Sequence, residues 1–232
     1  MIQVNNLRFS YGQDDFSLQI DELSIHKGQS VAWTGHSGSG KTTLLHLVAG
    51  IVLPETGRLE SCEVELTGLR DSARRDFRIR NIGLVLQDFE LFEYMSVLDN
   101  ILLPYRINRS LQLTSSVRTR AKQLANEMGL EQLILRRPTN LSHGEQQRVA
   151  VCRALITNPK MVLADEPTAN LDPGNASRVL DALDLYTKQN GATLVVVTHD
   201  NKIHNRFDRT IDVSSFCFQT QSENVGDLND ER

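Results

Sequence analysis

Apolar and polar residues alternate from the start of the chain. MIQVNNLRFSYG, residues 1–12, and FSLQIDELSIHKG, residues 16–28, both read as half-buried strands. SVAWTG, residues 30–35, is a short apolar run that opens into a glycine-rich loop. The period then changes: in KTTLLHLVAG, Leu44, Leu45, Leu47 and Val48 recur at helical spacing, and Gly50 followed by Pro54 ends the run. Residues 89–137 have another texture, with Val117, Ala121, Leu124, Ala125 and Met128 on one face of an amphipathic helix. EQQRVAVCRAL, residues 145–155, predicts a helix that begins at Glu145. MVLA before Asp165 and TLVVVT before His199 lack polar alternation, as strands buried on both faces do, and predict parallel pairing. Between them NASRVLDALDLYTKQNG predicts a helix stopped by Gly191. From Gln219 the chain is polar and acidic, and disorder is expected there. No internal repeat or heptad run is present.

With 232 residues, 40% of them hydrophobic, the chain can bury a large core as one domain or as one domain with a smaller subdomain. The net charge of -4 owes much to Glu223, Asp227, Asp230 and Glu231 at the end, so the body is near neutral and offers no nucleic-acid surface. Cys62, Cys152 and Cys217 are odd in number and far apart, which disfavours a disulfide framework or a zinc site and points to a reducing cytosol. The N-terminus carries no basic-then-apolar leader, and runs such as LVVV, residues 194–197, fall far short of the ~20 residues that span a bilayer. If the protein serves a membrane, a partner must cross it.

The order strand, glycine loop, helix sits around GHSGSGKT, which fits G-x-x-x-x-G-K-[ST] in full. Such a loop curls so that successive N–H groups face phosphate oxygens, with the following helix N-terminus behind them. The predicted cradle is Gly35, His36, Ser37, Gly38, Ser39, Gly40, Lys41, Thr42 and Thr43. Lys41 is expected on the β- and γ-phosphates and the Thr42 hydroxyl on Mg²⁺. MVLADEP supplies two adjacent carboxylates at a strand end: Asp165 to hold the metal, and Glu166 to orient the water that attacks the γ-phosphate.

With these in place, LSHGEQQ, residues 141–147, resembles the signature sequence of the nucleotide-binding subunits of ABC transporters, usually Leu-Ser-Gly-Gly-Gln. The resemblance runs from about residue 2 to 218. It implies an α/β P-loop ATPase with a mostly parallel core sheet, an N-terminal antiparallel β-subdomain and a helical insertion. The implied core is about 1–88 and 156–218, the insertion about 89–155, and the tail 219–232. It also implies a homodimer joined head to tail, with two ATP and Mg²⁺ at the interface. Ser142, Gly144 and Glu145 of one copy would then close over the ATP held by the other. The remaining motifs are carried over in the same way: Tyr11 stacks on adenine, Gln87 senses Mg²⁺, Asp172 in ANLD crosses the dimer interface, and His199 contacts the γ-phosphate. His143 and Glu145 depart from the usual glycine and glutamine, which bears on turnover more than on nucleotide binding.

Within the family, GHSGSGKTTLLHLVAG, SVLDNILLP, LADEPTANLD and VVVTHD are similar to the lipoprotein-release, macrolide-export and FtsE-like cell-division ATPases, although Ala169 and Leu86 replace a glycine and a phenylalanine common there. The resemblance implies a peripheral protein on the cytoplasmic face of the membrane, bound to a separate permease. Phe89, Leu91, Phe92, Tyr94 and Met95 fall where the family receives a helix of that permease. Mechanical signalling without transport, a soluble non-transport ABC ATPase and a binding module with little hydrolysis are the alternatives. The absence of heptad arms weighs against the second and Glu166 against the third.

Overall fold

A computed structural model describes the chain over residues 1–12 and 16–219. Among the described residues ten strands and seven α-helices follow in the order β1 (Ile2–Ser10), β2 (Phe16–Ile25), β3 (Ser30–Thr34), α1 (Lys41–Val48), β4 (Thr56–Ser61), β5 (Val64–Glu65), α2 (Asp71–Asn81), β6 (Ile82–Val85), α3 (Val97–Ile101), α4 (Leu103–Ile107), α5 (Ser115–Glu127), α6 (His143–Leu155), β7 (Met161–Asp165), α7 (Pro173–Asn190), β8 (Thr193–Val197), β9 (Arg209–Asp212) and β10 (Cys217–Gln219).

They build two sheets. One is antiparallel in the order β10-β2-β1-β4-β5, with Val4 opposite Leu23 on one side and Leu59 on the other. The second is parallel in the order β6-β7-β8-β3-β9. Its strands β7 and β8 are buried at every residue, which is why they read as unbroken apolar runs. Side chains of a strand point to alternate faces, so β7 feeds two cores. Met161 and Leu163 join Trp33, Leu44 and Leu18 in the layer toward the antiparallel sheet. Val162 and Ala164 join Leu124, Val151 and Leu183 beneath α5, α6 and α7.

Three expectations are refined. Helix α6 begins at His143, not Glu145, because Ser142 and Glu145 cap it reciprocally. Helix α7 begins at Pro173, where a missing N–H costs nothing, behind the Asp172 cap. Gln219 closes β10 by pairing with Phe16, so the expected tail does not begin there; its remaining residues lie outside the described ones. Among the described residues no helix is long and apolar enough to cross a membrane. The three cysteines are free thiols, and burial pushes Cys62 up to about 11.

Because β3, β7 and β8 are adjacent and parallel, their C-terminal ends reach one edge of the sheet. That is where an open parallel sheet offers its crevice to a ligand.

Candidate functional site

The turn from β3 to α1 is possible only with glycines. Gly40 has φ +87°, and a Cβ there would stand 2.9 Å from Phe16 Cζ; at Gly35 it would stand 2.5 Å from Ser39 Oγ and 2.7 Å from Ser214 Oγ. Gly40 also precedes the first turn of α1, whose N–H groups have no side-chain cap. Lys41 Nζ folds back over this loop, donating to the carbonyls of Gly35 and His36 at 2.8 Å each. Ser39 is fully buried, and its hydroxyl has no hydrogen-bond partner among the described residues.

Thr42 Oγ1 donates to Asp165 Oδ2 across 2.7 Å, which ties α1 to the end of β7. Burial raises the Asp165 carboxyl above its ordinary range; the Thr42 bond opposes this and neighbouring Glu166 adds to it. Glu166 follows in the left-handed region at φ +45°, a conformation that costs about 1–3 kcal/mol away from glycine. Its Oε1 meets Nδ1 of His199 at 2.7 Å, with the histidine side chain 74% exposed and the glutamate 13%.

These groups, with Gln87, Thr43, His36, Ser37, Gly38 and Tyr11, line one cleft of about 650 Å³, within the range of small-molecule sites. Phe16 also lines it, 6.1 Å from Tyr11, so the aromatic wall has two rings. Sequence reasoning missed Phe16 because an apolar residue at the start of a strand reads as core.

Ser142, Gly144, Glu145 and Asp172 do not line this cleft. Asp172 Oδ1 accepts from the N–H groups of Gly174 and Asn175 and Oδ2 accepts from the Asn175 side-chain amide; that amide bond foremost, with the backbone bonds behind it, holds its carboxyl below the usual range. Glu145 Oε2 accepts from the Ser142 N–H at 2.7 Å and from its hydroxyl at 2.9 Å; the backbone bond foremost holds that carboxyl low. A carboxylate so engaged organises Ser142 and is an acceptor, unsuited to holding phosphate. The N-termini of α6 and α7 abut: a Cβ on Gly144 would stand 2.9 Å from Asn175 Cγ, and Arg148 donates to Asn175 Oδ1. Asn175, unnoticed in the sequence, joins the two.

A second hollow of about 700 Å³ lies between α2, α4 and the segment after β6, with Ile79, Leu91, Phe92, Leu103 and Ile107 on its walls. Of the five residues expected in such a groove, only Leu91 and Phe92 line it. Tyr94 is exposed beside Phe92, and Phe89 is buried elsewhere.

The family model described as ABC transporter matches residues 18–169. A lipoprotein-releasing system ATP-binding protein LolD from Nitrobacter hamburgensis is 36% identical over 218 residues, 93% of this chain and 93% of that protein. The LolD of Hydrogenovibrio crunogenus is 37% identical, covering 97% of this chain and 98% of its own. Among solved structures, the dimeric post-hydrolysis state of the ATP-binding cassette MJ0796 bound to ADP and Pi superposes with a TM-score of 0.81 at 29% identity, over 92% of this chain and 95% of that one.

Proposed function

The chain belongs to the ABC transporter family and is one of its ATPases, and from that premise we propose that it powers a transporter of the lipoprotein-releasing kind, as a homodimer on a separate membrane-spanning permease. The observation that carries the ATPase reading is one cleft that gathers the glycine loop, the Thr42–Asp165 pair and the Glu166–His199 pair at the ends of adjacent parallel strands.

In this reading ATP lies along the loop. Its adenine meets Tyr11 and Phe16, and its phosphates meet the loop N–H groups, the Ser39 hydroxyl and the N-terminus of α1. Lys41 exchanges the carbonyls of Gly35 and His36 for the β- and γ-phosphates. The Thr42 hydroxyl, the Asp165 carboxylate and the Gln87 amide carbonyl can each offer an oxygen of the hard type that suits Mg²⁺, so the ligand set fits that ion. When bound, the ion neutralises charge on the phosphates.

Glu166 takes the proton side of the attacking water. The His199 bond fixes Oε1 and so aims the other carboxylate oxygen. That bond adds to the part expected of His199: its Nδ1 orients Glu166, and Nε2 is the nitrogen offered to the γ-phosphate. Ser142 and the N-terminus of α6 serve the second copy's ATP, which is why they lie outside their own subunit's cleft. Asp172 lies beside them at that interface. The same reading divides the chain into a core of about 1–88 and 156–218 and a helical part of about 89–155.

The relatives named for lipoprotein release, and the hollow beside α2 and α4, support a peripheral position on the cytoplasmic face with a permease segment seated in that hollow. Phosphate release from MgATP by the purified protein tests the ATPase reading. Glu166→Gln should retain ATP binding and lose about 10²-fold in rate, roughly 3 kcal/mol of transition-state stabilisation. Hydrolysis at the parental rate in that variant contradicts the role of Glu166.

A further inference from the structure

The loop that follows Gln87 holds two successive non-glycine residues in the left-handed region, Phe89 at φ +57° and Glu90 at φ +46°. Phe89 is buried, yet it belongs to neither of the two apolar cores. Helix α6 lies against it. The His143 ring stands edge-to-face with the Phe89 ring, centroids 4.6 Å apart. Ten residues further along the same helix, the Arg153 guanidinium donates to the Phe89 carbonyl and, at 2.6 Å, to the Glu90 carbonyl. One helix therefore grips the loop by a side chain and by its backbone, and a conformation this costly persists only where the surroundings impose it.

We infer that His143 is a positioning residue: its ring latches Phe89 to α6 and so holds the Gln87 loop of the subunit's own cleft in register with the helix that presents Ser142 to the other copy. This rests on the roles proposed above for Gln87 and Ser142. In the sequence His143 is a departure from the usual glycine that bears on turnover; in the structure its ring packs within its own subunit. A glycine at that position has no ring to offer. Without the latch the backbone at Phe89 and Glu90 relaxes, Gln87 two residues away leaves the cleft more often, and the competent fraction of subunits falls. ATP affinity, carried by the glycine loop and Lys41, stays nearly unchanged.

The test is a set of substitutions in the full chain, read by steady-state hydrolysis, thermal melting and amide hydrogen exchange. His143 is exposed, so His143→Gly should fold as the parent does. It should lower kcat about three- to tenfold, the size of one aromatic contact, with KM within about twofold. His143→Phe, which keeps the edge-to-face pair, should restore the parental rate. Phe89→Ala should match His143→Gly, and the double variant should be no slower than either single one, because both remove the same contact. Exchange in residues 86–92 should quicken in His143→Gly while residues 146–155 keep the parental rate. The latch is overturned by a parental kcat in His143→Gly, by a loss that His143→Phe does not rescue, or by losses that multiply in the double variant. Exchange without nucleotide reports on the latch even if the parent proves inactive. An inactive parent discards the ATPase reading, whereas an active parent with an indifferent His143→Gly discards the latch alone.

Discussion

Lys41 is held by two carbonyls of its own loop, so its ammonium is already aimed along the curl of the backbone before any phosphate arrives. Removing it should abolish tight phosphate binding without unfolding the loop, whose shape comes from Gly35 and Gly40. In the parent, MgATP at about 100 times its Kd should add about 2.7 kcal/mol of stability and raise the melting temperature. In Lys41→Ala the melting temperature should barely respond to MgATP; equal shifts in both proteins would remove Lys41 from the site. Lys41, Thr42 and Asp165 were legible as residues because a complete motif fixes their spacing. The Glu166–His199 bond was not, since it joins positions 33 apart that meet only because β7 and β8 are neighbours.

At the scale of elements, the Ser142–Glu145 capping box starts α6. The Glu145 carboxyl is held below its unfolded value of about 4.3, so its contribution is present above that value and lost as pH falls through the lower folded one. Glu145→Gln can still cap but carries no charge. The parent should therefore exceed it in stability by less than about 1 kcal/mol at neutral pH, the position being partly exposed. The difference should shrink as pH falls below about 4.3 and vanish once pH has passed the lower folded value. Denaturant melts of both proteins across pH check this, and a difference independent of pH contradicts it.

The helix start was misread by two residues because His143 and Gly144 look like a turn. The signal that would have placed it was Ser-x-x-Glu at residues 142–145. Strands β7 and β8 were read plainly because burial on both faces leaves no polar residue in the pattern. The left-handed backbone at Phe89 and Glu90 left no trace in the sequence, since neither residue type favours it.

At the scale of the whole molecule, the cleft and the N-terminus of α6 are separate surfaces of one chain, and in the proposed mechanism only a second copy brings them together. The order of motifs announced the family, but no local pattern states that two copies complement each other. Mixing two variants tests this most directly. Ser142→Arg obstructs closure yet keeps Lys41, and Lys41→Ala loses phosphate yet keeps Ser142. Each homodimer has no intact site, whereas the heterodimer has one intact site and one carrying both lesions. Crosslinking of differently tagged subunits in MgATP should give heterodimers in the mixture and none when either variant is alone. A mixture that forms no ATP-dependent heterodimers, under conditions where the parent dimerises, would contradict completion of the site by a second copy.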